Sequence, residues 1–404
     1  MLPVTEYFML PLPVNNWSII GYTIGSVLFC LSCVLYWHQR NIAATRKKLE
    51  TPRIRFPRPD LPPVFPNGWI PVLESEALGI EAVKRLDVLG LELVAFRTKD
   101  GVAHVTDAHC PHLGAHLGVL GRVVGDCIEC PFHGWRFNGD GACVHVPYDA
   151  KVPEFAHIKK WETDEVMGLL CVWYHAEGEK PSWKIEDVPE ISSGGWKLFK
   201  RYEETVTGHI RDLAENGSDM VHFKYFHGPN FFVTAEEFSQ NGGVTTWGRF
   251  LTHIWKANWH TEAHKCVVDM DADIKVFGKT PSFLYNRSYL KLQGPALLVV
   301  RTDCKFGKQI TVTSITPEGP LQIRLIHRMH CDQSTSFLFR LVSSRAYQLS
   351  FQRDMLVWNN KTIWKNPPLQ KEDRTIADFR RWYQQFYTKN SPTWQDVRDR
   401  SLQW

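Results

Sequence analysis

Apolar and polar residues alternate through much of the first half of the chain and predict a series of short β-strands. Two pairs of such runs flank glycine-containing turns: 91–97 with 102–107, and 135–137 with 142–146. Each pair is expected to form a hairpin. The pattern stops near residue 180, where glycine, proline and charged residues interrupt it. We therefore predict a small antiparallel β domain in this part of the chain.

Longer alternating runs follow in the second half, at 266–277, 297–303, 309–316 and 321–330. They predict a sizeable antiparallel sheet. Residues 337–361 instead carry apolar side chains at helical spacing, so one long helix should pack across the sheet and leave a deep pocket. A shorter helix is predicted over most of 208–229, where Gly228-Pro229 would end it. The expected fold class is α+β, with a helix-covered antiparallel sheet after the small β domain.

A stretch near the start of the chain has the length of a membrane span. Residues 17–37 are twenty-one residues without a charge, with tryptophan or tyrosine at both ends. A secretory signal peptide is the alternative, but no lysine or arginine precedes the stretch. Four basic residues at 40–48 place the rest of the chain in the cytosol. We predict an N-terminal transmembrane helix in an anchor at 1–40, and a basic, proline-rich linker at 41–66.

Composition narrows the functional classes without identifying one. The 404 residues are enough for two domains, and 44% apolar with 22% charged residues is ordinary for a globular protein. A net charge of +4 is too small and too diffuse to indicate binding of nucleic acid. Ten scattered cysteines in a chain of this length do not predict a disulfide scaffold.

Two Cys/His pairs are candidate metal ligands. One residue separates Cys110 from His112, and two separate Cys130 from His133. Thiolates and imidazoles suit zinc or an iron–sulfur cluster. Zinc fingers usually place both cysteines before both histidines, whereas here each half can give a thiolate to one iron and an imidazole to the other. This order favours a [2Fe–2S] cluster, and a zinc knuckle with Cys127 as a spare ligand is the alternative.

A second group of candidate ligands lies in the predicted helix at 208–229. Asp219 and His222 are three residues apart and would share a helical face, and His227 follows five residues later. Two imidazoles near a carboxylate are typical of a non-haem Fe(II) site with open positions. Asp354, inside the long predicted helix, would complete such a site if it faced inward. Alternatively, these histidines only cap a helix or form hydrogen bonds with buried polar groups.

Other acidic and histidine residues have weaker claims to a role. If Asp354 faced outward, the third iron ligand would come from an acidic strand that carries Asp269, Asp271 and Asp273. Three further histidines are expected to be surface or core residues, namely His253, His260 and His264.

In this order, the two motifs resemble those of the Rieske non-haem iron oxygenase family. The resemblance covers about residues 68–392, and segments 354–361 and 379–387 are similar to the steroid-handling branch. That branch includes bacterial ketosteroid 9α-hydroxylases and animal cholesterol 7-desaturases. Respiratory Rieske proteins carry an extra cysteine in each loop and join the two as a disulfide, whereas Ala115 and Phe132 stand at those positions here. The resemblance is therefore to the oxygenases, and it implies a reducing compartment.

The resemblance implies a role for each candidate residue. The [2Fe–2S] cluster would be held in a Rieske domain at 67–182 by Cys110, His112, Cys130 and His133. A mononuclear iron would be held in a catalytic domain at 183–404 by His222, His227 and Asp354. The carboxylate of Asp219 would bond a cluster histidine of one subunit and an iron histidine of its neighbour in a homotrimer, with Glu215 as the alternative bridge.

The same resemblance implies an activity. A membrane-anchored enzyme with its catalytic part in the cytosol, at the endoplasmic reticulum, would use O2 to desaturate cholesterol at C7–C8, giving 7-dehydrocholesterol. Electrons from NAD(P)H would arrive through a separate reductase, because the sequence has no convincing Rossmann fingerprint or P-loop. Three alternatives stay open: a hydroxylase of the same fold acting on a sterol, steroid or tetrapyrrole, a membrane-tethered Rieske electron carrier, and a zinc-stabilised lipid-binding module.

Overall fold

The computed structural model describes residues 61–149, 151–228, 233–241, 250–282, 284–364 and 366–401. The predicted membrane anchor and most of the predicted linker lie outside these ranges. Within them, no helix has the length and apolar character needed to cross a membrane.

Short strands make up the first part of the described chain. They are β1 (Gly68–Glu74), β2 (Val83–Val88), β3 (Leu91–Arg97), β4 (Ala103–Asp107), β5 (Arg122–Val124), β6 (Cys127–Glu129), β7 (Arg136–Asn138), β8 (Cys143–His145), β9 (Lys160–Trp161), β10 (Thr163–Val166) and β11 (Leu169–Tyr174). They pair as antiparallel sheets in the orders β1-β11-β10, β2-β3-β4-β9 and β5-β6-β7-β8. The two predicted hairpins are present as β3–β4 and β7–β8.

A large antiparallel sheet forms the second part. Its strands are β12 (Lys197–Thr207), β13 (Leu251–Glu262), β14 (Lys265–Val276), β15 (Tyr285–Gln293), β16 (Leu297–Cys304), β17 (Gly307–Gly319) and β18 (Gln322–Cys331). Among the described residues they lie in the order β12-β18-β17-β16-β15-β14-β13. Most of β17 and β18 is buried, because one face packs on the first part of the chain and the other on a helix. The four predicted runs correspond to β14, β16, β17 and β18.

Among the described residues, the helices are short apart from one. They are α1 (Pro189–Ser192), α2 (Ile210–Glu215), α3 (Met220–Phe226), α4 (Ala235–Asn241), α5 (Phe337–Trp358), α6 (Arg374–Tyr383) and α7 (Trp394–Ser401). The long predicted helix is α5, and the hydroxyl of Ser336 caps its N-terminus by accepting from the backbone N of Phe339 (3.1 Å). Helix α5 lies on the sheet, where Ser343 Oγ donates to Gln309 Oε1 of β17 (2.9 Å).

The single helix predicted over 208–229 is interrupted, and that prediction was wrong. A 3-10 turn at Asn216–Ser218 follows α2, and α3 begins only after Asp219. Asp219 has φ −84° and ψ 88°, outside the helical region, and its carboxylate accepts a hydrogen bond from the backbone N of His222 (3.1 Å). Aspartate stabilises helix N-termini better than helix interiors, so it starts a new helix here.

Strand β1 joins the two parts through buried polar contacts. Thr316 Oγ1 donates to the carbonyl of Pro71 (2.7 Å), and Arg328 donates to Glu74 (2.5 Å). Burial would raise the pKa of Glu74, but Arg201 and Arg328 together outweigh it, and the pKa is lowered. The carboxylate is therefore ionised and paired at the interface, as a buried charge requires.

His209 fastens the start of α2 to the segment before β1. Its Nδ1 accepts from the backbone N of Arg211 (3.1 Å), and its Nε2 donates to the carbonyl of Pro63 (3.1 Å). Both bonds require a neutral imidazole with its proton on Nε2. Burial, helped by the charge of Arg211, lowers the pKa of His209 to about 4, in agreement with this form.

We expect His209 to reduce stability as the pH falls below the ordinary histidine pKa. The unfolded chain takes up this proton near pH 6.5 and the folded chain only near pH 4, so stability is lost on acidification between these values. Compared with the wild type, the variant His209→Asn, which keeps a capping acceptor, should lose about 1.2 kcal/mol less unfolding free energy between pH 7 and pH 5.5. Urea unfolding followed by circular dichroism measures this. The control is His260→Asn, at a side chain that is 43% exposed, and an unaltered pH dependence in H209N would contradict the assignment.

Candidate metal centres

Two loops with the same hydrogen bonding carry the Cys/His pairs. In the first, the backbone N of Cys110 donates to the carbonyl of Ala115 (2.9 Å), and in the second that of Cys130 donates to Trp135 (2.7 Å). In each loop the amide of a glycine four residues on donates back to the cysteine carbonyl, at 2.9 Å and 3.0 Å. Each loop therefore turns back on its cysteine and carries its histidine near the tip.

The loops bring the four predicted cluster ligands together. The rings of His112 and His133 have centroids 4.6 Å apart at 73°. Both cysteines are buried, and burial, with a smaller effect of Cys130, raises the pKa of the Cys110 thiol to about 11. In the described part of the chain, Nδ1 of His112 is buried without a hydrogen-bond partner. Neighbouring buried thiols beside two imidazoles, one with an unpartnered nitrogen, fit a [2Fe–2S] cluster with thiolates on one iron and imidazoles on the other.

The surroundings of the four ligands are apolar. Trp135 stacks on His112 with centroids 4.6 Å apart at 6°, and its Nε1 donates to the hydroxyl of Tyr148 (2.7 Å). Leu113 and Phe132 at the loop tips are 64% and 63% exposed. The cysteines in the described ranges are all unpaired. The loop tips thus offer an apolar surface without a disulfide.

The two loop glycines provide a matched test of cluster binding. Both have positive φ, but a Cβ at Gly114 would meet no atom within 4 Å, whereas one at Gly134 would lie 2.8 Å from Cγ of Pro147. Gly114→Ala should cost only the left-handed backbone strain, about 1–2 kcal/mol, and Gly134→Ala should add a clash. We expect G134A to lose most of the visible cluster absorbance per chain and G114A to keep most of it. If both variants kept the same cluster absorbance, Pro147 would have to shift to accommodate the added Cβ.

His222, His227 and Asp354 converge at a second site. Among the described residues, their ligand atoms all lie within 4.8 Å of one another. His222 lies in α3, His227 directly follows α3, and Asp354 is on the buried side of α5. Nε2 of His227 lies 3.0 Å from Oδ1 of Asp354, and the two imidazole centroids are 5.1 Å apart. Two imidazoles and one carboxylate form the set that is typical of non-haem Fe(II).

The protonation states at this site suit a metal ion. Burial lowers the pKa of His222 despite the nearby charge of Asp354, so the imidazole is neutral. Burial would raise the pKa of Asp354, but His227, His222 and Arg353 outweigh it and the pKa is lowered. Nε2 of His222 is buried with no hydrogen-bond partner in the described part of the chain. Neutral imidazoles and ionised carboxylates are the forms that bind metal ions, so these residues fit an iron.

Asp219 holds His222 through its backbone carbonyl, whereas the predicted bridge uses its carboxylate. Nδ1 of His222 donates to the backbone carbonyl of Asp219 (2.6 Å), while the carboxylate Oδ1 lies 3.9 Å from that nitrogen. A backbone carbonyl therefore orients this imidazole, which leaves Nε2 for a metal ion. The carboxylate caps α3, and the side chain is 33% exposed.

A cavity of about 390 Å³ extends from His227 and Asp354 between the large sheet and α5. Its wall is mainly apolar, with Leu290 and Leu298 on the sheet and Phe351 on the helix. This volume is in the range of small-molecule pockets. An apolar cavity that ends at candidate metal ligands fits the oxidation of a hydrophobic substrate.

Comparison with known proteins identifies the family of this chain. The Rieske [2Fe-2S] domain matches residues 68–156, and the 3-ketosteroid 9alpha-hydroxylase C-terminal domain matches 172–387. The cholesterol 7-desaturase nvd 1 of Ciona intestinalis is 40% identical, over 82% of this chain and 71% of the relative. The chain belongs to the cholesterol 7-desaturase family of Rieske oxygenases.

Further relatives agree with this membership. The cholesterol 7-desaturase nvd of Drosophila melanogaster is 34% identical, over 90% of this chain and 84% of the relative. The 3-ketosteroid-9-alpha-monooxygenase oxygenase component of Mycolicibacterium smegmatis is 30% identical, over 84% and 87%. Dicamba monooxygenase bound to dicamba has the same fold, with a TM-score of 0.56 at 16% identity over 79% of this chain and 96% of that one.

Family membership settles the broad chemistry. As a Rieske oxygenase, the chain is an oxidoreductase with a [2Fe–2S] cluster and non-haem iron. The zinc knuckle and the zinc-stabilised lipid-binding module are therefore excluded.

Sequence reasoning missed two residues that contact the candidate iron ligands. Asn216 Nδ2 donates to Oδ2 of Asp354 (3.3 Å). A guanidinium nitrogen of Arg353 lies 3.2 Å from Nδ1 of His227, and another donates to the carbonyl of Phe226 (2.9 Å). Arg353 could have been found, because an arginine beside Asp354 in a helix that packs on a sheet needs buried partners. No feature of the sequence pointed to Asn216. Its amide contacts Asp354 only because the chain forms a 3-10 turn between α2 and α3.

The acidic strand turns its aspartates away from the candidate iron site. Asp269 and Asp271 are exposed, and alternation along β14 places them with Asp273 on the face opposite to Val268 and Met270, which border the cavity. Because Asp354 faces inward, the condition under which this strand would supply the third ligand is not met.

The remaining candidates have other environments. Glu215 is buried and accepts from Nε of Arg380 (2.5 Å), so its carboxylate is already paired within its own subunit. His253 is buried and borders the cavity, His264 is half-buried, and His260 is 43% exposed. Among these three histidines, only His253 borders the cavity that His227 and Asp354 also border.

Proposed function

We propose that this chain converts cholesterol to 7-dehydrocholesterol. The reaction removes one hydrogen each from C7 and C8, consumes one O2, two electrons and two protons, and releases two water molecules. The observation that carries the proposal is the apolar cavity that ends at His227 and Asp354, in a member of the cholesterol 7-desaturase family.

Seven side chains would hold the redox groups. In a Rieske domain at 67–182, the cluster ligands would be Cys110, His112, Cys130 and His133. In a catalytic domain at 183–404, the iron ligands would be His222, His227 and Asp354. When bound, these groups supply single-electron transfer and activation of O2. The ring arrangement, unpartnered nitrogens and protonation states described above support this assignment.

The protein's own residues would orient the iron ligands and exclude water. The backbone carbonyl of Asp219 holds the Nδ1 proton of His222, and Asn216 holds one carboxylate oxygen of Asp354. Phe223 packs against Trp255, with ring centroids 5.5 Å apart, in the apolar cluster beside the histidines. This packing would keep bulk water from the reacting C–H bonds.

We also propose a homotrimer in which Asp219 of one subunit faces the cluster loops of the next. The carboxylate of Asp219 reaches the surface, where it could accept a hydrogen bond from a cluster histidine of the neighbour. Leu113 and Phe132 are exposed apolar side chains at the loop tips, and such surfaces typically mark contacts with a partner.

A membrane location is part of the proposal. Residues 17–37 would anchor the chain in the endoplasmic reticulum, and a linker at 41–66 would connect the anchor to a cytosolic catalytic part that receives NAD(P)H electrons from a separate reductase. Phe306 borders the cavity and is 49% exposed, and Phe277 at the end of β14 is 72% exposed. Apolar side chains of this kind near a cavity suit uptake of sterol from a membrane.

The product's mass tests the proposed function. The full-length protein would be combined with a reductase, NADPH, O2 and cholesterol, with the variant His227→Ala as a control for dependence on the iron site. Loss of two hydrogens is the expected result. Gain of one oxygen would instead indicate a sterol hydroxylase, the second candidate, which the match to the M. smegmatis monooxygenase favours. No product despite a reducible cluster would overturn cholesterol as the substrate.

A further inference from the structure

A second polar cluster lies in the cavity wall, apart from the iron ligands. Thr313 of β17 and His327 of β18 are cross-strand partners, and Tyr347 reaches them from α5. Nδ1 of His327 lies 2.9 Å from Oγ1 of Thr313 and 3.0 Å from the hydroxyl of Tyr347, and the two hydroxyls are 3.3 Å apart. Thr313 and Tyr347 both border the cavity.

The three groups cannot use all their hydrogen-bonding capacity on one another. Burial lowers the pKa of His327 to about 3, so the imidazole is neutral and its Nδ1 forms one bond, either as acceptor or as donor. In both tautomers at least one hydroxyl proton of Thr313 or Tyr347 can turn toward the cavity. Their oxygens also keep lone pairs that can accept a hydrogen bond. The hydroxyls of Thr313 and Tyr347 can therefore together donate a hydrogen bond to a ligand hydroxyl and accept one from it.

The distance from the iron ligands restricts which ligand fits. Tyr347 and Asp354 are seven residues apart on one face of α5, or about 10 Å along the helix axis. Between them the wall is formed by Phe351, whose ring stacks on Tyr347 with centroids 6.1 Å apart at 11°. A rigid, fused-ring lipid with a hydroxyl one ring away from the reacting carbon would place its ring against Phe351 and its hydroxyl at Thr313 and Tyr347.

Another polar pair in the wall is less suitable. Ser343 lies eleven residues from Asp354, about 16 Å along the helix. Its hydroxyl already donates to Gln309, whose amide donates to Thr311 (3.2 Å). This pair is farther from the iron ligands than the width of two fused rings, and both of its side chains already donate within the protein.

We infer that Thr313 and Tyr347 form the subsite that binds the ring A hydroxyl of the sterol, with His327 as a positioning residue for both hydroxyls. This inference rests on the proposed sterol oxidation and deepens it. A site that hydrogen-bonds a substrate hydroxyl disfavours analogues that lack it, because its own polar groups are then left without partners. The substrate class is therefore a fused-ring lipid with a secondary alcohol.

The test compares cholesterol with cholest-5-ene, which lacks only the hydroxyl. Binding of each to the anaerobic holoenzyme, and kcat/KM for each, would be measured for the full-length protein, Tyr347→Phe and Thr313→Val. Loss of one neutral hydrogen bond should weaken cholesterol binding about fivefold to tenfold in either variant and leave binding of cholest-5-ene unchanged. Matched controls are Tyr202→Phe and Thr311→Val, which remove hydroxyls from the neighbouring β12 and from β17 and should not discriminate between the two ligands.

The outcomes separate this subsite from the proposed function. Equal losses for both ligands in Y347F and T313V, or no loss with cholesterol while the wild type converts it, would overturn the subsite and leave the function standing. The wild type could instead bind cholesterol more tightly than cholest-5-ene, lose this preference in Y347F and T313V, and yet form no product. That result would support the subsite and overturn the desaturation.

Discussion

Replacement of Asp354 by alanine should lower cholesterol conversion at least about 100-fold while the visible spectrum of the cluster persists. Asp354 is the only carboxylate in the ligand set that the described residues form with His222 and His227. Its loss leaves only the imidazoles of His222 and His227 in the set, and it removes the buried carboxylate whose charge lies near the Arg353 cation. Iron content by elemental analysis should therefore fall to the cluster's two irons per chain, and conversion should fall with it.

A matched variant shows whether this loss is specific. Asp271→Ala removes a carboxylate from an exposed position on the outer face of β14 and should leave iron content and conversion unchanged. Circular dichroism would establish that both variants are folded. If D354A kept three irons per chain and normal conversion, the third iron ligand would have to be another residue.

Replacement of Asp219 by asparagine should slow electron delivery about 10- to 100-fold without loss of either metal site. Asparagine caps helices as well as aspartate does, so α3 and the carbonyl that holds His222 should persist. What changes is the charge of a side chain that is 33% exposed beside the iron ligands. The measurement is the rate at which the reduced cluster is reoxidised in a single turnover with O2 and sterol.

The control for this variant is Asp269→Asn, which makes the same chemical change at an exposed position on β14. Both variants should bind iron as the wild type does. An unchanged reoxidation rate in D219N would argue against the carboxylate as a bridge between subunits. Loss of iron in D219N would instead indicate that its main role is to hold α3.

Helix α5 connects substrate binding to the metal site. Asp354 and Tyr347 share a face of this helix and are separated by seven residues, or two helical turns. Because the spacing along a helix is constant, the proposed hydroxyl subsite and the iron would keep a set distance. Small misplacements of a reacting C–H bond have large effects on rate, so this spacing bears on which carbon is oxidised.

Several elements were predictable because their signals are local. The β3–β4 hairpin follows from alternation on both sides of a turn, since alternation in a strand reports which face is buried. Helix α5 was predicted from apolar spacing, although it ends at Trp358, before the predicted end. Helix 208–229 was predicted incorrectly because apolar spacing does not reveal that Asp219 caps a new helix.

The sequence by itself determined the two ligand motifs, and the tertiary structure decided what surrounds them. Each Cys/His pair lies in a single short loop, and His222 and His227 lie within one segment, so spacing alone predicts that the members of each pair lie close together. The side chain of Asp354 faces His227 and contacts Asn216 only because α5 packs against the segment that holds α2, the 3-10 turn and α3. The cluster of Thr313, His327 and Tyr347 likewise depends on the register of β17 and β18 under α5. Contacts between segments distant in the chain leave no periodic pattern in the sequence, because packing rather than local backbone preference brings them together.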